Sequence, residues 1–247
     1  MHYQRYKDNK PERSRGASIG IGAAIAHRLA QEGANLILFS RTESKLKYLS
    51  EEIQSKIDTN TIKIFTTAVD VASHVQVTKA VSNVVKQNGP IDVLINNTGL
   101  ALRAPATFPD LKIEDVVAMT ETNVNGYLFA TYAVLNEGGM RERGQRTILN
   151  VTSTTAMEAP PFPSESIYYG SKRFQEGFTD ALRTELAGTN IKVLALRPGV
   201  VATHFHKQRV DFDKDAYDSF MEGFETLLAE DVAEAAAWML VRKNESW

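Results

Sequence analysis

Cysteine is absent from this sequence of 247 residues, which excludes disulfides, thiolate metal sites and a cysteine nucleophile. No stretch approaches the ~18 uninterrupted apolar residues of a membrane span. The 28 basic and 30 acidic side chains nearly cancel, so no general field attracts nucleic acid or an anionic membrane. What remains is a globular chain that is long enough to bury a sizeable core. Since residues 1–15 contain no apolar secretion signal, we expect a cytoplasmic protein.

Short apolar runs alternate with segments of helical periodicity along the chain. The strand-like runs cover residues 36–39, 62–69, 91–95, 148–151 and 191–196. Long helical patterns cover residues 113–135 and 168–186, and a further helix is predicted over residues 231–242. This alternation predicts an α/β fold, a three-layer doubly wound parallel sheet of the Rossmann-like type. We expect a single domain over residues 16–247, preceded by a basic segment over residues 1–15.

A glycine-rich turn, Gly16-Ala17-Ser18-Ile19-Gly20-Ile21-Gly22, precedes the first predicted helix. Glycines permit a tight turn and a close approach of the backbone to a pyrophosphate. The helix N-terminus adds free N–H groups and a partial positive charge. The alternative is a flexible turn with no ligand.

Tyr168 and Lys172 are four residues apart and share one face of a predicted helix. We expect the ammonium group to favour the phenolate and so to lower the tyrosine pKa toward working pH. Such a tyrosine can serve as a proton donor. The alternative is an ordinary solvated helix face. Tyr169 is offset by three residues from Lys172, which makes it the weaker candidate.

Together these motifs resemble the short-chain dehydrogenase/reductase family, whose glycine turn has the form G-x-x-x-G-x-G. The other matching motifs follow in family order: Asn96-Asn97-Thr98-Gly99, Asn123 within residues 122–126, Ser153 fifteen residues before Tyr168, and Pro198-Gly199 with Thr203. The matches extend across about residues 16–241. The resemblance therefore implies an oxidoreductase that acts on a carbonyl group or a secondary alcohol.

The resemblance also implies a role for each matching residue. Tyr168 would exchange a proton with the substrate oxygen, and Lys172 would bind the nicotinamide ribose and tune Tyr168. Ser153 would hydrogen-bond the carbonyl oxygen, and Asn123 would hold a water that links Lys172 to solvent. The cofactor would carry the hydride. The implied cofactor-binding residues are Gly16, Ser18, Ile19, Gly20, Ile21, Gly22, Ser40, Arg41, Asp70, Val71, Asn97, Thr98, Gly99, Tyr168, Lys172, Pro198, Gly199, Val201 and Thr203.

The residues after the second predicted strand indicate which dinucleotide is used. Users of NAD in the family place an acid there, whereas this chain has Ser40 and Arg41. A guanidinium can bind a 2′-phosphate with two hydrogen bonds, so we expect NADP(H). Alternatively, Arg41 is a surface residue and Asp70 only caps the next helix.

Within the family, the chain is most similar to the NADP-dependent 3-hydroxy acid and serine dehydrogenase branch. Residues 204–228 would then form a substrate lid. The cationic side chains of this lid are candidates to hold a substrate carboxylate, or they are simply solvated: His204, His206, Lys207 and Arg209. No credible metal-ligand spacing is found, and the two lid histidines alone are too few. Homo-oligomers through the helices at residues 113–135 and 168–186 are implied by the resemblance.

The two ends of the chain depart from the family pattern. Residues 8–15, where the first strand belongs, contain no Val, Ile, Leu or Phe and include Pro11. Buried central strands exclude both features. We therefore expect a degenerate first strand, a missing last strand and, as a hypothesis, an incomplete or mis-started reductase. The main alternative to catalysis is a degenerate member that binds a nucleotide or a partner without turnover. A nucleic-acid binder using the basic start is opposed by the neutral overall charge.

Overall fold

The computed structural model describes residues 20–57, 62–158, 164–223 and 225–241. Strands and helices alternate along this part of the chain. The strands are β1 (Leu36–Ser40), β2 (Ile64–Ala68), β3 (Val93–Asn96), β4 (Gln145–Val151) and β5 (Asn190–Leu196). The helices are α1 (Ile21–Gln31), α2 (Glu43–Lys56), α3 (His74–Asn88), α4 (Ile113–Thr120), α5 (Gly126–Asn136), α6 (Met140–Arg143), α7 (Ser166–Glu185), α8 (His204–Arg209), α9 (Lys214–Met221) and α10 (Ala229–Val241).

Helix α3 shows how the local sequence sets the limits of an element. The hydroxyl of Ser73 accepts a hydrogen bond from the backbone N–H of Gln76 and so caps the first turn. Gly89 ends the helix with φ +82°, a conformation that side chains with a Cβ rarely adopt. Pro90 follows and cannot continue the helical hydrogen bonds. Local residues therefore set both ends of the helix.

The strands of the described residues form parallel pairs in two sheets. β1 pairs with β2, with Leu36 opposite Ile64, and β4 lies between β3 and β5. A doubly wound order would place one further strand between β1 and β3, and the described residues supply none there. The predicted degenerate first strand at residues 8–15 lies outside the described residues. The same holds for the residues after 241, where the missing last strand was predicted.

Helices cover both faces of the three-stranded sheet, which confirms the predicted α/β architecture. On one face, Ile25 of α1 and Ala236 of α10 pack against Leu149 of β4. On the other face, Val81 of α3 and Ala133 of α5 pack beside Ile148, and the side chains of all these residues are buried. The successive strand residues 148 and 149 therefore point into opposite cores, as a strand buried on both sides requires.

The helix predicted over residues 113–135 is interrupted at its centre. A single π-helical turn, Glu121–Asn125, separates α4 from α5, although the backbone remains helical across both junctions. Such a turn inserts an extra residue and rotates the following side chains relative to those before it. Asn123 lies in this turn and is fully buried.

Candidate active site

A cleft of about 1650 Å³ is lined by β1 and β3 along their whole length and by the loops that follow β3, β4 and β5. It therefore includes the carboxyl ends of these strands, where open α/β sheets bind their ligands. Most of the predicted site residues line it: Gly20, Ile21, Gly22, Ser40, Val71, Asn97, Thr98, Gly99, Ser153, Tyr168, Lys172, Pro198, Gly199, Val201 and Thr203. Among the described residues, Arg41, Asp70 and Asn123 are not part of this lining. The predicted residues Gly16, Ser18 and Ile19 lie outside the described residues.

At the glycine-rich end of the cleft, two segments approach closely because Gly22 has no side chain. A Cβ atom at this position would lie 2.6 Å from Nδ2 of Asn97, closer than real contacts allow. Gly22 therefore lets the first turn of α1 approach the loop that follows β3. The start of α1 faces the cleft, where its unpaired backbone N–H groups suit an anion.

Tyr168 and Lys172 lie together in the cleft, one turn apart on α7. Nζ of Lys172 is 5.6 Å from the centre of the Tyr168 ring. It also donates hydrogen bonds to the carbonyl of Val151 at 3.3 Å and to Oε1 of Gln175 at 3.1 Å. The predicted pair of neighbours is thus present, and the lysine is fixed by groups from two elements.

The expected lowering of the Tyr168 pKa is wrong for this arrangement. Burial raises the pKa of Tyr168 to about 12, although a hydrogen bond with Ser153 partly opposes the increase. Burial also lowers the pKa of Lys172 to about 8, against the influence of the Glu176 carboxylate. Desolvation outweighs the attraction between ammonium and phenolate, because both groups are removed from water. At neutral pH the phenol is therefore protonated and can donate.

Asn123 joins the loop after β3 to helix α7. Its Oδ1 accepts a hydrogen bond from the backbone N–H of Leu100 at 2.7 Å. Its Nδ2 donates to the carbonyl of Leu100 at 2.8 Å and to Oγ of Ser171 at 3.0 Å. Ser171 in turn donates to the carbonyl of Tyr168 at 2.7 Å. The side chain thus positions both the cofactor-side loop and the turn that carries Tyr168.

Gln175 is a site residue that the sequence analysis missed. This fully buried side chain donates from Nε2 to the backbone carbonyl of Asn123 at 2.9 Å, while its Oε1 accepts from Lys172. It bridges Lys172 and Asn123, the residue that was expected to hold a water linking Lys172 to solvent. A glutamine three residues after a lysine carries no sequence signal for this contact, since the bridge depends on the π-helical turn.

Glu176 was also missed, and it provides a negative charge behind Lys172. Two hydrogen bonds from Arg197, at 2.9 and 2.6 Å, hold its carboxylate. Burial raises the pKa of Glu176, but hydrogen bonds from Arg197 and Thr152 and nearby positive charges lower it overall. The carboxylate therefore stays ionised beside the lysine.

The predicted cofactor residues Ser40, Arg41 and Asp70 lie at the carboxyl ends of β1 and β2. Ser40 lines the cleft, and its Oγ accepts a hydrogen bond from the backbone N–H of Thr42 at 3.2 Å. Arg41 is exposed at the next position. Oδ1 of Asp70 accepts from the backbone N–H of Ala72 at 3.1 Å, as expected for a turn-capping residue. The alternative role of Asp70, capping of the next helix, is wrong because Ser73 caps α3, whereas its contact with the cofactor stays a prediction.

Helices α8 and α9 also contribute to the lining of the cleft. Phe205, His206 and Arg209 of α8 line it together with Phe220 of α9. The Phe205 ring lies 5.5 Å from the Tyr168 ring. The cleft lining, as far as the chain is described, includes neither His204 nor Lys207. Of the four predicted lid cations, His206 and Arg209 thus reach the site.

Among the described residues, no three His, Cys, Asp or Glu side chains are grouped so that they could hold a metal ion. None of the described helices has the length and apolar character needed to cross a membrane.

Comparison with known proteins agrees with this geometry. Residues 15–214 match the short chain dehydrogenase family. The chain is 34% identical to the NADP-dependent 3-hydroxy acid dehydrogenase of Schizosaccharomyces pombe, over 93% of this chain and 86% of that protein. It is 36% identical to the sulfoacetaldehyde reductase of Chromohalobacter salexigens, over 89% and 83% of the two chains. A closed form of serine dehydrogenase with NADP+ superposes with a TM-score of 0.79, at 31% identity, over 90% of this chain and 86% of that one.

Proposed function

Because the chain belongs to the short-chain dehydrogenase family, we propose that its cleft transfers a hydride between NADP(H) and a carbonyl group or secondary alcohol. The protein is an NADP-dependent oxidoreductase that acts on CH–OH groups. The observation that carries this conclusion is the joint placement of Ser153, Tyr168 and Lys172 in the cleft that begins at the glycine turn.

The residues present suit a dinucleotide. The cleft begins at the N-terminus of α1, where Gly22 leaves the room that a Cβ would fill. At its other end the Nζ of Lys172 lies 3.7 Å from the position of a Cβ on Gly99, so the loop after β3 and the lysine bound one compartment. When bound, NADPH supplies the hydride. Ser40 and Arg41 are proposed to hold its 2′-phosphate, since a guanidinium matches phosphate geometry.

The catalytic roles follow from the protonation states. Tyr168, neutral at pH 7, donates its proton to the carbonyl oxygen during reduction, and Ser153 donates a hydrogen bond to the same oxygen. Lys172 binds the ribose and is protonated below about pH 8. Asn123 fixes the loop and the helix between which these groups lie. These four assignments are proposals that rest on the contacts described above.

For the substrate we propose a 3-hydroxy acid and its 3-oxo counterpart. The relative from Schizosaccharomyces pombe is named for 3-hydroxy acids, and the match covers 93% of this chain. The alternative, a family member that binds nucleotide without turnover, is not favoured, because Asn123, Ser153, Tyr168 and Lys172 are all present and all but Asn123 line the cleft.

Replacement of Tyr168 by Phe tests the proposed chemistry. We expect Tyr168→Phe to reduce kcat for NADPH-dependent carbonyl reduction by about 10²-fold or more, because the proton donor is lost. NADPH binding, measured by fluorescence titration, should change little. Tyr169→Phe, at the next position of the same helix, is the matched control and should retain turnover. Equal activity in the two variants would remove Tyr168 from the reaction.

We also propose a homo-oligomer in the cytoplasm. Large apolar side chains are exposed on the helices expected to mediate assembly, with Ile113, Val117 and Tyr132 exposed by 66%, 45% and 69%. Exposed apolar groups that recur on neighbouring helices favour burial by another subunit. Light scattering coupled to size exclusion measures the assembled mass.

A further inference from the structure

A buried ion pair joins the lid helix α8 to the start of α7, and the proposed chemistry does not use it. Arg209, at the end of α8, pairs with Glu165, the residue at the N-cap position of α7. Their side chains are only 7% and 3% exposed, and both line the cleft. Desolvating charges this deeply costs free energy, and a buried charged pair in a cleft is a candidate functional site.

The guanidinium lies directly beside the proposed proton donor. Its central carbon is 5.8 Å from the centre of the Tyr168 ring and 4.7 Å from that of Phe220. A carbonyl oxygen that meets Tyr168 therefore brings the rest of a small substrate to Arg209. A guanidinium has five N–H donors, so a pairing with Glu165 leaves capacity for a second carboxylate.

Two other basic side chains of the lining, Lys172 and His206, are unsuited to this role. Lys172 is held by Val151 and Gln175 and is assigned to the cofactor. Burial lowers the pKa of His206 to about 4, so this imidazole is neutral at pH 7. Burial lowers the pKa of Arg209 only to about 10, which leaves it charged. Arg209 thus provides the positive charge on the substrate side of Tyr168.

We propose that Arg209 is the specificity-determining residue that binds the carboxylate of the substrate, and that Glu165 anchors the guanidinium and tempers its affinity for anions. This inference rests on the proposed function and adds to it the group that recognises the acid. The cleft then prefers 3-oxo acids to neutral ketones of the same size. The preference arises at the lid, and the proton donor is the same for both substrates.

The test compares one acid with its neutral ester. NADPH-dependent reduction of 3-oxobutanoate and of methyl 3-oxobutanoate is measured for the wild type and for Arg209→Gln. We expect kcat/KM for the acid to fall roughly tenfold to hundredfold, mainly through KM, as a charge-assisted hydrogen bond is lost. The value for the ester should change little. Lys207→Gln, on the same helix but outside the described lining, is the matched control and should leave both values unchanged.

Two more variants separate recognition from folding. Glu165→Gln should lower KM for the acid, because a competing negative charge is removed. The double variant Glu165→Gln with Arg209→Gln leaves no buried charge unpaired, and it should still lack the preference for the acid. Equal losses for acid and ester in both Arg209 variants, or an unchanged preference, would overturn the inference. Wild-type protein that reduces the ester but not the acid would do the same, whereas protein that reduces no carbonyl compound would contradict the proposed function itself.

Discussion

In β4, residues 148–151 are all buried, whereas in β2 residues 66–68 are all exposed. The catalytic groups lie beside the three-stranded sheet, on α7 and just after β4, among buried side chains that hydrogen-bond one another. The two-stranded sheet carries the predicted specificity residues at its exposed margin, and Arg41 lies there in solvent. The difference indicates that the proton-transfer groups are assembled in advance, while cofactor choice depends on surface residues. Substitutions in the two regions should therefore have separable effects.

The largest effect is expected at the buried lysine. The pKa of Lys172 in the folded protein, about 8, is below its ordinary value of 10.5, so the folded state binds fewer protons than the unfolded state between these limits. Stability contributed by this group consequently rises as pH increases from 8 to 10.5, and the charged lysine destabilises the fold at pH 7. We expect Lys172→Met to lose about 10²-fold or more in turnover yet to gain about 1–3 kcal/mol in the free energy of unfolding.

Urea unfolding at pH 7 measures the free energy of unfolding, and NADPH oxidation in the presence of substrate measures turnover. Lys192→Met, at an exposed position of β5, serves as the control and should change neither by much. If Lys172→Met is less stable than the wild type and still active, Lys172 is not a desolvated ammonium that the reaction needs.

The second prediction concerns the exposed margin of the two-stranded sheet. Arg41→Ala should reduce the ratio of kcat/KM for NADPH to that for NADH roughly tenfold to hundredfold, because a charge-assisted bond to the 2′-phosphate is lost. The rate with saturating NADPH should be nearly unchanged. Lys47→Ala on α2, whose side chain is 77% exposed, removes a positive charge nearby and controls for general electrostatics. An unchanged cofactor ratio in Arg41→Ala would leave Arg41 as a surface residue only.

The smallest effect is a shift in pH dependence. Reduction by the wild type should weaken as pH rises through about 8, where Lys172 loses its proton. Because the carboxylate of Glu176 raises the lysine pKa, Glu176→Gln should shift the alkaline limb of the pH profile, where the rate falls, to lower pH. The pH profile of kcat/KM shows the shift, and Glu185→Gln at an exposed position of the same helix should leave the limb in place. A limb that stays near pH 8 in Glu176→Gln would exclude this coupling.

The buried region was predicted well because its signals are local. Apolar runs located β3, β4 and β5, and the spacing of Tyr168 and Lys172 placed both on one helix face. The resemblance to the family then supplied Ser153 and Asn123 at positions that the structure brings close to this pair.

The parts that sequence reasoning missed depend on tertiary contacts. Gln175 meets Asn123 only because a π-helical turn rotates the asparagine toward α7. Glu165 and Arg209 are 44 positions apart and pair only when the lid lies over the cleft. The direction of the Tyr168 pKa was predicted wrongly because a spacing of four residues shows a neighbouring charge but not the depth of burial.

The central claim is that this cleft performs hydride transfer coupled to proton donation by Tyr168. The most direct measurement incubates the full chain with NADPH and 3-oxobutanoate and quantifies both products. We predict equimolar NADP+ and 3-hydroxybutanoate, with formation of both lost together in Tyr168→Phe. A folded protein that binds NADPH but produces neither from any carbonyl compound would contradict the claim.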